Sequence, residues 1–176
     1  MFATYRQVEP DVFMELTGVA FEDFAVGQVF EHRPGRTITE EECRKHMMHA
    51  LDLSPRNLDR VYIAAVHGKA IVPETWLLSV VAILTTKTFG RVVANLGWTN
   101  TVMHGQAVAG DTITAESEIL GKRESNSRPD QGIMHVATRG YNQAGALLCS
   151  YERRFLIYRG DGGPYRTGWD WVVLRL

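Results

Sequence analysis

The sequence predicts an α+β domain in which one long apolar helix is wrapped by a bent antiparallel sheet. Three observations carry this. The chain has 176 residues, the size of a single domain that buries roughly 70% of the surface its unfolded form exposes. Its longest apolar segment, Glu74 to about Phe89, has the length of a helix. The second half is a series of β-branched and aromatic runs separated by turns too short for parallel crossovers.

The first half reads as helix and loop. In Thr39-Glu40-Glu41-Glu42 the Thr39 hydroxyl can accept the backbone N–H of Glu42 while the Glu42 side chain reaches back, a capping box. The helix it opens runs to about Leu51, where Asp52-Leu53-Ser54-Pro55 breaks it. Asp59 can cap a short second helix, Arg60 to Ala65, followed by a turn at His67-Gly68-Lys69.

Pro73 then opens the long apolar helix, since proline at the first helical position lacks an N–H that would have no partner there, and Glu74 suits the positive end of the dipole. Trp76, Leu77, Leu78, Val80, Val81, Ala82, Ile83 and Leu84 leave almost no polar face, so this helix is expected to be buried nearly all round. Strands are expected over Val92–Leu96, Ile113–Leu120, Ile133–Thr138 and Leu147–Tyr158, with turns at Gly110-Asp111, Arg128–Gly132 and Asn142–Gly145. In the last strand Tyr151, Arg153, Phe155 and Ile157 alternate with Glu152, Arg154 and Leu156.

Composition removes several function classes. The hydrophobic content of 45% argues against disorder. The net charge of −1 lacks the basic excess that nucleic acid demands. The strongly apolar stretch Trp76–Leu84 is about half of a membrane span. Met1–Arg6 lacks the charged-then-apolar order of a secretion signal. A soluble, cytoplasmic protein with no nucleic-acid or membrane partner is expected. Cys43 and Cys149 are too few and too far apart for a disulfide framework. His46 and His49 stand three apart without further ligands, so no metal is expected.

Several motifs then fall into a recognisable order. Phe21–Gln28, Ile71-Val72-Pro73, Asn95-Leu96-Gly97-Trp98 and Gly110-Asp111-Thr112 resemble segments of the MaoC-like dehydratases and hydratases, proteins of the hotdog fold. Lys122–Gly132, closed by Asn142-Gln143, looks like one subgroup of that family. The resemblance covers residues 21–158, leaving 1–20 as an N-terminal extension and 159–176 as a C-terminal tail that contains Trp169 and Trp171.

The resemblance implies hydration or dehydration of a thioester carried on coenzyme A, with no metal or redox cofactor. The family's catalytic loop reads Asp-x-Asn-Pro-x-His-x-Asp, and here the stretch is Asp52-Leu53-Ser54-Pro55-Arg56-Asn57-Leu58-Asp59. Asp52 falls on the catalytic aspartate, and Asn57 falls where the histidine belongs. An amide can position water but cannot exchange a proton near neutral pH. Glu74 replaces the usual oxyanion-hole glycine, and Ala82 stands where some relatives carry serine. The site therefore reads as an altered hydratase site built on Asp52, Asn57 and Glu74.

Each residue also has a plainer reading. Asp52 and Asn57 suit a turn, and Glu74 suits a helix N-terminus. More sharply, Asp52 and Glu74 would face each other as a new acid–base pair. Arg123 and Arg128 are candidates for coenzyme A phosphates, against salt bridges with Glu124 and Asp130. His67 joins them as a substrate-binding candidate, and His67 and His104 are alternative proton carriers. The family implies a homodimer through pairing of sheets, or a heterodimer with another hotdog chain. Two further functions stay open: a non-catalytic partner subunit, and a biosynthetic isomerase or cyclase that reuses the pocket.

Overall fold

A computed structural model describes residues 5–160 and 162–165. Chain order is β1 (Tyr5–Glu9), β2 (Val12–Glu15), β3 (Val29–Thr37), α1 (Glu40–His49), α2 (Pro55–Leu58), α3 (Arg60–Val66) and α4 (Glu74–Leu84). β4 (Val92–Met103), β5 (Thr112–Glu124), β6 (Gln131–Tyr141) and β7 (Leu147–Tyr158) complete it. β1 and β2 form a separate hairpin, and the other five strands form one antiparallel sheet in the order β3-β5-β6-β7-β4. The expected tail beyond residue 165, with Trp169 and Trp171, lies outside the described residues.

The helix starts obey local chemistry. The Thr39 hydroxyl accepts the Glu42 N–H at 3.2 Å and the Glu42 carboxylate accepts the Thr39 N–H at 2.9 Å. Asp59 Oδ1 accepts from the N–H groups of Val61 and Tyr62 and caps α3. α4 begins directly after Pro73 and ends at Leu84 rather than near Phe89. Its end is set by Thr85 and Thr86, whose hydroxyls donate to the carbonyls of Ala82 and Ile83 at 2.7 Å, and a short 3-10 turn continues to Lys87.

α4 lies against the concave face of the sheet with Leu77, Val80 and Val81 buried. Each such side chain contributes about 1.5–3 kcal/mol by leaving water. Close approach requires a glycine opposite: a Cβ at Gly140 would stand 2.5 Å from Val81 Cγ2. The helix is not buried all round, because Glu74, Thr75 and Ile83 are exposed. The sheet leaves one side of α4 uncovered.

Alternation in β5, β6 and β7 places Ile113, Ala115, Ile119, Met134, Val136 and Phe155 inward. Tyr151, Arg153, Phe155 and Ile157 are all buried as the pattern in the last strand requires, and Leu156 is buried with them. The first half is not only helix and loop. β3 is an edge strand paired with β5, its register shifting between His32 and Arg36 where Pro34 and Gly35 interrupt the ladder. β4 is the other edge, and it exposes Leu96, Trp98 and Val102. Among the described residues no helix is long and apolar enough to cross a membrane.

Candidate active site

α1 delivers the chain to the site through a leucine in the left-handed region. Leu51 has φ 55°, and the Asp52 N–H returns to the Met47 carbonyl at 3.0 Å. Glycine is the usual residue there, so a leucine costs about 1–2 kcal/mol. The chain then enters a tight polar loop. Asp52 Oδ1 accepts the Ser54 N–H at 2.8 Å, and Asp52 Oδ2 accepts from the Asn57 amide at 3.0 Å. Asn57 sits on α2, which Pro55 opens, so the pair is set by the loop's own chemistry.

The other amide atom carries more information. Asn57 Oδ1 is buried and has no hydrogen-bond partner among the described residues. A buried acceptor left unpaired costs about 1–3 kcal/mol, which a water or hydroxyl donor at this point would recover. Asp52, Asn57 and such a donor make a compact set: a carboxylate to take a proton and an amide to orient its source.

Arg56, next to Asn57 in the chain, turns the other way. Its guanidinium donates to Glu74 Oε1 at 2.6 Å, tying α2 to the first turn of α4. Both side chains border a cavity of about 230 Å³, with His104 and Gln106 opposite. Val72, Leu77, Met103 and Ala107 give it apolar walls. His46 supports this end of α4 from behind: its Nε2 meets Thr75 Oγ1 at 2.8 Å, and its ring lies 5.2 Å from that of Trp76.

Expected site residues thus separate into four groups. Asp52 and Asn57 are brought together. Glu74 is tied to the same loop through Arg56, while Asp52 takes Ser54 and Asn57 as its partners, and no hydrogen bond joins the two carboxylates among the described residues. His67 caps the end of α3 with its ring 6.1 Å from that of Tyr62 and is exposed. Arg123 and Arg128 lie at the far end of the β5–β6 pair, roughly 35 Å of strand from Thr112. There Arg123 donates to the Glu124 carbonyl and Arg128 to Gln131 Oε1. Neither forms the expected pair with Glu124 or Asp130; Glu124 instead meets Arg159 at 2.7 Å. Arg56 is not among the residues expected from the sequence, although a charged residue within a loop holding Leu51, Leu53 and Leu58 is a usable sign.

Comparison with known proteins now bears on this geometry. A family model described as mesaconyl-CoA hydratase matches residues 4–167. The chain belongs to that family. It is 30% identical over 146 residues to a mesaconyl-CoA hydratase of Cereibacter sphaeroides, covering 82% of this chain and 42% of the relative. The chain therefore spans less than half the length of that relative. Among solved structures, a Mycobacterium tuberculosis protein described as having a double hotdog fold superposes with a TM-score of 0.75 at 23% identity, over 86% of this chain and 47% of the other. A MaoC-like dehydratase from Rhodospirillum rubrum gives 0.69 at 19% identity, over 81% of this chain and 99% of the other. The fold of this MaoC-like chain is one hotdog unit.

Proposed function

We propose that this chain is a hydratase or dehydratase of a coenzyme A thioester, working through Asp52 with Asn57 in the place of a histidine. The observation that carries the reading is the Asp52–Asn57 pair with its buried, unpaired Oδ1. A water donating to Asn57 Oδ1 stands beside a carboxylate already held by two donors. Asp52 takes the proton from that water as its oxygen bonds to the β-carbon of an enoyl thioester. The same carboxyl group then returns a proton to the α-carbon, so that H and OH are added across the double bond. Dehydration is the reverse. The free N–H groups in the first turn of α4 suit the thioester oxygen, whose charge rises during addition.

Enoyl thioesters that bear a second carboxylate, as in mesaconyl-CoA, are the substrates the family resemblance supports. Arg56 is the cation at the cavity that such a carboxylate would meet. No metal or redox cofactor enters this scheme. The buried free thiols Cys43 and Cys149 suit a reducing, cytoplasmic setting.

A second hotdog unit completes the proposal. The exposed edge β4 runs directly into the cavity at Met103 and His104, so a homodimer paired along it would close the site. Asn57 also supports a second reading, a non-catalytic subunit paired with a competent hotdog chain, because its amide cannot carry a proton.

The test is the loss of enoyl absorbance on mixing purified protein with crotonyl-CoA and mesaconyl-CoA. Turnover by the protein alone is expected, falling about 10²–10⁴-fold in Asp52→Ala. A protein that is silent alone and active only with a second hotdog chain establishes the partner-subunit reading instead.

A further inference from the structure

A second and larger cavity, about 560 Å³, stands beside the first, within the size range of small-molecule sites. α3 supplies Arg60 and Ile63 to its wall, the turn after α3 supplies Gly68 and Lys69, and Glu40 closes it from the start of α1. Ala70 and Ala109 form its floor, joined by a 2.8 Å hydrogen bond from the Ala109 N–H to the Ala70 carbonyl.

That floor continues into the first cavity. Ile71 pairs with Val108 in an antiparallel bridge, and the Val72 N–H donates to the Ala107 carbonyl at 2.9 Å. Val72 and Ala107 wall the Glu74 cavity, two residues along from Ala70 and Ala109. By strand alternation both pairs face the same side of the ribbon, about 7 Å apart. One short ribbon thus underlies two adjoining cavities, one next to the Asp52 loop and the other next to two cations.

The chemistry of the larger groove is that of an anion carried on an apolar stem. Arg60 projects a guanidinium whose close carboxylate among the described residues is that of Glu40, at 3.2 Å, with side chains 77% and 51% exposed. A pair so exposed holds weakly, and a phosphate that accepts two N–H bonds from the fork can displace it. Lys69 is exposed and pairs with no carboxylate among the described residues. Ile63 offers apolar surface, and glycine and alanine along the floor let a bulky ligand approach the backbone.

We propose that this groove holds the phosphate end of a phosphopantetheine thioester, with Arg60 and Lys69 as its phosphate ligands, while the acyl end reaches the Glu74 cavity. This rests on the hydratase reading only for the identity of the acyl end. The phosphate expected at Arg123 and Arg128 is placed instead at the opposite end of the sheet. Coenzyme A and an acyl carrier protein both present this phosphate.

Two measurements decide the matter. In the first, kcat/KM is compared for crotonyl-CoA, crotonyl-phosphopantetheine and crotonyl-pantetheine, in the natural protein and in Arg60→Ala/Lys69→Ala. The natural protein is expected to favour the phosphorylated esters by about 100-fold and the double variant by a few-fold, since each charged contact is worth about tenfold. A full preference retained by the double variant overturns the proposal. Equal use of crotonyl-CoA and crotonyl-phosphopantetheine assigns the groove to the phosphate common to both carriers, and a strong advantage of crotonyl-CoA assigns it to the nucleotide end. In the second, free coenzyme A is titrated calorimetrically, with no catalysis required. If no ester is turned over, the hydratase reading fails, and a tenfold or greater loss of coenzyme A affinity in the double variant still supports the groove. Equal affinities overturn it.

Discussion

Two polar clusters in the described part of this hotdog unit differ in access: one is open and the other is sealed. The Asp52 loop reaches a cavity through Arg56. The sealed cluster lies where Thr85–Phe89, just after α4, meets the sheet: His32 Nε2 meets Ser117 Oγ at 2.9 Å, Ser117 meets Thr138 at 2.8 Å, and Arg153 is buried beside them with Tyr151. Phenylalanine rings close around it, and the Arg153 guanidinium lies 4.6 Å from the Phe155 ring centre and 5.7 Å from that of Phe89. Burial, then Arg153, pulls the His32 pKa down to about 4. Burial also pushes the Tyr151 hydroxyl up to about 12. Strong perturbation of titrating groups here marks packing. The Asp52 loop is set apart by Arg56, which lines a cavity.

That difference can be broken from either side. The largest stability effect belongs to the sealed region: Phe155→Ala empties a fully buried position and should cost about 3–5 kcal/mol, read from urea unfolding. Next comes the acid limb. A histidine whose pKa falls from 6.5 unfolded to about 4 folded stabilises the neutral form. Its contribution, up to about 3 kcal/mol, is fully present above pH 6.5 and is lost as pH falls from 6.5 towards 4. Unfolding followed across that range should show the slope, and His32→Gln should flatten it.

Changes at the open end should be smaller in stability. Asp59→Ala removes two N–H acceptances at the start of α3 and should lower stability by about 1 kcal/mol. Arg56→Met breaks a half-exposed ion pair with Glu74 and should move thermal stability by less than about 1 kcal/mol. A loss of several kcal/mol in either variant would show that the open end also carries the fold.

Much of this is legible in local chemistry. The capping box at Thr39, the Asp59 cap, Pro73 before α4 and the alternation in β5 to β7 are signals held within a few residues. β3 is not legible, because its His-Arg-Pro-Gly segment has little β-propensity and becomes a strand only by pairing with β5, about eighty residues away. Composition overstates the burial of α4 for a related reason: it shows that a helix is apolar, whereas the sheet decides which side is covered. At the site, the Asp52–Asn57 contact is legible because the two lie in one loop. The Arg56–Glu74 tie joins separate elements, and nothing in the charges of the Lys122–Asp130 hairpin reveals at which end of the sheet it lies.

In the proposed reaction one carboxylate, Asp52, carries both proton transfers while Asn57 only positions water. The pH dependence of kcat/KM for crotonyl-CoA in Asn57→His tests it most directly. Restoring an ionisable ring is expected to add a limb near the ordinary histidine pKa of about 6.5, absent from the natural protein, and to raise the rate at pH 7. A profile and rate matching the natural protein would contradict the claim and place the proton chemistry elsewhere.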